Sequence, residues 1–253
     1  MKIKHLSVSR VGVWQLCQQQ YKYRYHEELP SLEEDPIYFA YGTIIHKIAE
    51  KYTESKGQRP INEITNDVLS GKIPLDDDKK VVKLPQEYKN KLVSHIRSLK
   101  KINDKIGFDG YTEWEFNFDL DPPNNRIITG YIDRLVVKDG NFWILDYKTT
   151  KKSKWRKGLK EIKGDLQLRT YARIVQKEFN AEAKNIKAAL YYLDGEELVG
   201  ACFSEQSLDS VEKELLKYYL EIERTNPNGV LGNVGPHCSR CDYRQICPFY
   251  SLT

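Results

Sequence analysis

The sequence predicts an α/β fold, a sheet built from strands in the middle of the chain with helices before, between and after them. Three observations predict it. Apolar residues recur at helical spacing near both ends, the pattern switches to strict alternation over residues 113–120, and the pairs Asp139-Gly140 and Asp194-Gly195 each divide two β-rich runs. An N-terminal helical segment and a C-terminal cysteine-rich tail flank this core. With 253 residues, 40% hydrophobic and 30% charged, the composition is that of an ordinary globular chain, with no apolar run long enough to cross a bilayer. The N-terminus carries no signal-peptide pattern, so an intracellular, cytoplasmic protein is expected. A net charge of +4 is too small to argue for a nucleic-acid partner by itself; the clustering of the basic residues matters more.

In chain order, residues 6–25 suit a helix capped by Ser7 or Ser9, with Cys17 inside it. A second helix follows Gly42-Thr43, where Ile45, Ile48, Ala49 and Tyr52 form an apolar stripe with His46 beside it. Residues 57–85 are polar and include the acidic run Asp76, Asp77, Asp78; with a helix over 86–105 they form an insertion. Trp114, Phe116, Phe118 and Leu120 then alternate with Glu113, Glu115, Asn117 and Asp119 as a half-buried strand. Residues 127–137 and 142–148 are two more strands around Asp139-Gly140, a strong hairpin signal. A basic stretch leads to a helix over 164–179, with Leu168, Tyr171, Ala172, Val175 and Phe179 on one stripe. Strands over 188–193 and 198–203 and a helix over 208–224 complete the pattern. The expected organisation is a single domain, 1–253, made of N-terminal helices (1–56), the helical insertion (57–108), a catalytic core (109–205) and a C-terminal helix with the cysteine tail (206–253).

A two-residue turn at Asp139-Gly140 sets Lys138 across from Asn141, and stepping outward brings Asp133 opposite Asp146. Facing carboxylates with Cβ atoms roughly 5 Å apart repel unless a cation neutralises them. Lys148 lies two residues beyond Asp146, so its ammonium shares that face. Hard oxygen ligands suit Mg2+ or Mn2+, and such an ion can activate water and stabilise charge on phosphorus. The same three residues also fit a plain cross-strand ion pair between Asp133 and Lys148. Glu113 and Glu115 share a strand face and can add an acid near the metal, although solvent exposure is the reading favoured for both.

Gly130-Tyr131-Ile132-Asp133, Asp146-Tyr147-Lys148-Thr149 and Gln167-Leu168-Arg169-Thr170-Tyr171 resemble the successive motifs of the PD-(D/E)XK nuclease superfamily, RecB-like branch, and His46 after Gly42 resembles that branch's upstream histidine. The resemblance implies a restriction-endonuclease-like core with a mixed central sheet. It implies that Asp133, Asp146, His46 and the backbone carbonyl of Tyr147 ligate the metal, and that Lys148 orients or deprotonates the attacking water. Gln167 and Tyr171, four apart on a helix, would position substrate or the lysine. Ile132 stands where the motif name has proline, a variant that fits the branch.

Cys238, Cys241 and Cys247 give C-x2-C-x5-C, while Cys17 is remote. In a reducing compartment such a set is metal-binding rather than disulfide-bonded. Four thiolates suit a 4Fe-4S cluster or a tetrahedral zinc, and three local ligands plus one remote ligand favour the cluster over zinc's usual two close pairs. The arrangement also resembles RecB-like nucleases with an iron–sulfur clasp, such as the CRISPR-associated four-cysteine exonucleases and AddB-type nuclease domains. Cys202, in an apolar strand, reads as a small core residue.

Lys151, Lys152, Lys154, Trp155 and Arg156 follow the catalytic strand, with Lys157 and Lys160 just beyond. Cations that track phosphates and a ring that stacks on a base suit single-stranded nucleic acid. In Tyr21, Lys22, Tyr23, Arg24 and Tyr25 a similar mixture is at least as well explained by core packing. The expected function is a metal-dependent DNA exonuclease acting on single-stranded ends, with a helicase or CRISPR-adaptation machinery as partner. A structure-specific endonuclease and a catalytically silent DNA-end binding module are the alternatives.

Overall fold

The computed structural model describes residues 1–32, 37–75, 81–150 and 156–250. Lys151, Lys152, Lys154 and Trp155, and the acidic residues Asp76 to Asp78, lie outside the described residues. The chain forms two compact units, one of Met1–Asp35, Phe116–Gly130 and Asp209–Thr253, the other of Pro36–Glu115 and Tyr131–Leu208.

Five strands, β1 (Tyr111–Asp121), β2 (Arg126–Lys138), β3 (Asn141–Lys148), β4 (Ile186–Tyr192) and β5 (Glu197–Cys202), form one sheet in that order. Strands β2 and β3 are antiparallel, β3 and β4 parallel, and β4 and β5 antiparallel, so the sheet is mixed as expected. Asp139 (φ 50°) and Gly140 (φ 72°) both sit in the left-handed region, the geometry of a type I′ hairpin turn. The register pairs Lys138 with Asn141 and Arg134 with Leu145. Continued by one residue, it sets Asp133 across from Asp146.

A parallel pair needs a long crossover, and α6 (Leu159–Lys163) and α7 (Leu166–Glu178) provide it between β3 and β4. Asp165 caps α7 by accepting from the Leu168 N–H at 2.8 Å. Its Leu168, Ala172 and Val175 are buried, and α7 lies against β3 and β4. Helices α3 (Ile37–Glu54), α4 (Ile61–Leu69) and α5 (Gln86–Ile106) share a core in the same unit, where Ile45, Ile48, Ile64 and Leu99 are fully buried beside Leu145 and Tyr147. The expected polar insertion therefore contains a helix, because Ile61, Ile64, Thr65 and Val68 are a complete helical stripe among polar neighbours.

In the other unit the expected single N-terminal helix is broken. Helix α1 (Val8–Leu16), capped by Ser7, ends at Cys17, which is extended (φ −162°, ψ 113°). A short α2 (Gln18–Tyr21) and a π-helical turn over Lys22–His26 follow. Tyr21 and Tyr23 pack inward, Tyr21 against Trp14 and Tyr25 with centroids at 5.3 and 5.0 Å, which assigns this aromatic run to the core. Leu6 bridges to Ile128 of β2, and α8 (Glu205–Arg224) closes the order. Cys202 is exposed rather than buried, because it ends β5, the edge strand of the sheet. Among the described residues no helix is long and apolar enough to cross a membrane.

Candidate active site

The hairpin of β2 and β3 carries the centre of the site. Asp133 and Asp146 are both buried, at 8% and 2% exposure, which is costly for carboxylates unless charge or hydrogen bonds compensate. Asp133 Oδ2 accepts the Tyr147 N–H at 2.7 Å, and Asp133 Oδ1 faces His46 Nδ1 at 3.4 Å. Asp146 Oδ2 lies 2.5 Å from the Lys148 ammonium, an ion pair. His46 projects from α3 because it stands beside, not on, the buried stripe of Ile44, Ile45, Ile48 and Ala49.

The alternation of β1 argues for a solvent-facing Glu113, and the structure differs. Glu113 has φ 44°, a left-handed conformation rarely adopted by a non-glycine residue in a strand. Its Oε1 lies 3.6 Å from His46 Nδ1. His46, Glu113 and Asp133 thus place three ligand atoms within 4.8 Å of one another, which fits a divalent cation. Period-two patterning carries no signal for a residue whose backbone leaves the strand conformation.

The neighbouring Arg134 side chain alternates to the opposite face, where it is fully buried. Its Nη1 donates to the carbonyls of Tyr111 (3.0 Å) and Leu135 (3.2 Å), and its Nη2 to those of Gly107 (3.1 Å) and Asp109 (2.9 Å). Gly110 (φ 103°) lies so close that a Cβ there would meet the Leu135 oxygen at 2.1 Å. Arg134 and Gly110 therefore hold the segment leading into β1 against β2, and with it the start of the strand that presents Glu113. Thr112 Oγ1 adds a bond to the Asp133 carbonyl at 3.1 Å.

The electrostatics follow from crowding acids, two of them buried, around a histidine and a lysine. Burial, then the nearby Asp133 charge, push the Asp146 carboxyl up to about 6. Burial works against a charged Lys148, but Asp146 outweighs it and holds the ammonium above its usual range. Burial likewise disfavours a charged His46, yet Asp133, Glu113 and Asp146 together hold the imidazole well above its ordinary value. Gln167 Nε2 donates to the Tyr171 hydroxyl at 2.8 Å, so the pair shares a face of α7 as expected. Burial and then the charge of Asp146 raise the Tyr171 phenol, which brings Tyr171 within the field of the carboxylates.

Of the basic stretch, Arg156 is described, and it turns back onto the protein. Its guanidinium pairs with Glu197 at 2.6 Å and lies over the Tyr192 ring at 4.6 Å. Lys157 pairs with Asp165.

Cys17, Cys238, Cys241 and Cys247 line one pocket, together with Tyr23, His237 and Tyr243, and all four are free thiols. Burial pushes the Cys241 thiol up, and Cys17 and Cys247 beside it add to the rise. Among the described residues no three cysteine sulfurs lie within 4.8 Å of one another, so they are not drawn into a closed ligand set.

A mixed sheet with flanking helices and a hairpin presenting two acids and a lysine beside a histidine define a nuclease class. The chain belongs to the PD-(D/E)XK nuclease superfamily, whose model matches residues 5–248. Among solved structures, a "Putative exonuclease" from Eubacterium rectale is similar with a TM-score of 0.54 and 13% identity, covering 99% of this chain and 93% of that one. The crystal structure of SSO0001 is similar with a TM-score of 0.41 and 14% identity, covering 82% and 84%. The first likeness is one of fold. No curated protein matches the chain.

Proposed function

We propose that this chain is a metal-dependent deoxyribonuclease of the RecB-like branch that hydrolyses phosphodiesters from single-stranded DNA ends. The observation that supports it best is the grouping of His46, Glu113 and Asp133 beside the Asp146–Lys148 pair. Asp133, Asp146, His46 and the Tyr147 carbonyl are the proposed metal ligands, with Glu113 as an added acid. The oxygen-rich set of carboxylates and a carbonyl suits Mg2+ or Mn2+. A divalent ion there supplies a water of lowered pKa and neutralises charge growing on the phosphoryl oxygens.

The chain's own residues do the positioning. The Tyr147 N–H ties Asp133 Oδ2 and leaves Oδ1 toward the ion. Lys148, held charged by Asp146, orients the attacking water and meets the charge developing on phosphate. The Gln167–Tyr171 pair lies beside these groups to position substrate. Lys151, Lys152, Lys154 and Trp155 are proposed to track the strand, on their sequence alone; Arg156, expected to join them, is instead engaged by Glu197 and Tyr192. A helicase or CRISPR-adaptation partner and a cytoplasmic setting belong to the same proposal, supported by the RecB-like motifs.

End-labelled linear and covalently closed circular single-stranded DNA, incubated with protein and Mg2+ or Mn2+, test the reading. Linear DNA should be degraded and circles spared. Cut circles would make the chain an endonuclease, and binding without cleavage would leave a silent DNA-end module. Chelator should abolish cleavage, and Ca2+ should support binding with little hydrolysis.

We also propose that Cys17, Cys238, Cys241 and Cys247 hold a 4Fe-4S cluster. Three local ligands and one remote ligand suit the cluster better than zinc's usual two close pairs, and all four cysteines line one pocket. Anaerobically purified protein should contain iron and sulfide, and Cys17→Ser or Cys247→Ser should lose both. Stoichiometric zinc without iron would replace the cluster with a zinc site.

A further inference from the structure

We propose that Tyr38 and Phe39, at the start of α3, form a platform on which bases of single-stranded DNA stack as the strand runs along α3 to the metal site. This rests on the nuclease reading above and gives the single-strand preference proposed there a physical basis.

The two rings lie against each other with centroids 4.5 Å apart and planes tilted by 41°, yet Tyr38 is 44% and Phe39 57% exposed. An aromatic side chain carries a large apolar area, and α3 buries Tyr41 and Tyr52 on its core face while leaving this pair in water. At about 100° per residue, Phe39, Thr43 and His46 fall on one face, away from the core stripe of Tyr41, Ile44 and Ile48, with Gly42 at the edge of that face and Tyr38 one step to the side of Phe39. His46 is seven residues beyond Phe39, about 10 Å along the axis, a span of roughly three stacked nucleotides.

Gly42 lies between the rings and the histidine. Glycine is the least favourable helix-interior residue after proline, and here no packing calls for it, since an added Cβ would meet nothing within 4 Å. Nor is its backbone left-handed. With it, the strip of helix between Phe39 and His46 carries no side chain larger than Thr43. A low path with π faces at one end and a cation site at the other matches a strand whose bases stack while its phosphate reaches the metal. Bases already stacked within a duplex cannot use such a platform.

The test is binding of a fluorescent single-stranded oligonucleotide in Ca2+. Tyr38→Ala and Phe39→Ala should each raise Kd about ten-fold, within the range for one lost base stack, and leave blunt-duplex affinity within about two-fold. Phe39→Trp should restore binding. Gly42→Leu should keep or raise the thermal midpoint while weakening single-strand binding by a similar factor, opposite signs that a merely structural glycine would not give. In the wild type, moving a single abasic site along the oligonucleotide should reveal one or two adjacent positions where the missing base costs affinity. Those positions should cost nothing further in the Tyr38→Ala, Phe39→Ala double variant. Wild-type-like binding by the double variant, equal losses on single strand and duplex, no single-strand binding by the wild type, or an abasic cost that persists in the double variant would each overturn the platform. Because these measurements read binding, a wild-type protein that binds in this pattern yet cleaves nothing in Mg2+ or Mn2+ would overturn the nuclease reading alone.

Discussion

Asp146→Asn and Lys148→Ala should each lower cleavage by about three orders of magnitude or more, while single-strand binding in Ca2+ stays within a few-fold of wild type. The loss is large because both groups act where charge develops, and Asp146 does so from a buried position, where a fixed charge is worth more than in water. Binding survives because most contacts to DNA go to phosphates away from the reacting one. The asparagine variant separates chemistry from stability. An unfolded aspartate ionises near 3.8 and Asp146 in the folded chain at about 6, so its contribution to stability is full below the lower value and is lost as pH rises through the upper one. Metal-free Asp146→Asn should therefore match or exceed the wild-type thermal midpoint at neutral pH, while losing cleavage. Retained cleavage by either variant would remove Asp146 and Lys148 from the chemistry.

The pairing of Asp133 with Asp146 was legible because it depends on one local feature. Asp139-Gly140 accepts two consecutive left-handed residues, that turn has one register, and the register carries outward to the acids. The stripe of α7 was legible for the same reason, since Leu168, Ala172 and Val175 repeat at helical spacing inside a capped segment. Glu113 was legible only as the lesser of two readings, because its place beside His46 requires φ 44° within a strand, and alternation assumes that every residue is extended. Cys17 was not placed at a helix break because nothing in Leu16-Cys17-Gln18 stops a helix by propensity; the extended backbone at Cys17 comes from tertiary context. Arg134 was equally hidden. An arginine in an alternating strand reads as a solvated position, and its four carbonyl partners are Gly107, Asp109 and the first residue of β1, all more than twenty residues earlier, together with Leu135 of its own strand.

Arg134→Met should destabilise the chain by about 3–5 kcal/mol, although methionine fills much of the same space. The guanidinium is fully buried and satisfies the carbonyls of Gly107, Asp109, Tyr111 and Leu135 at 2.9–3.2 Å, and an apolar replacement leaves buried acceptors without donors. For a chain of this size that loss corresponds to a fall of roughly 10 °C in the thermal midpoint. Arg134→Lys, which keeps the charge but not the planar fork, should recover only part of it. The consequence reaches the site through the backbone. The carbonyls released are those of the segment entering β1, so the strand start that sets Glu113 beside His46 loses its anchor, and the metal concentration needed for half-maximal cleavage should rise at temperatures where the variant is still folded. Urea denaturation and a metal titration of cleavage measure the two effects separately. A midpoint within about 2 °C of wild type would show that water or rearranged backbone satisfies those carbonyls without Arg134, and an unchanged metal requirement in a destabilised variant would detach Glu113 from the ion.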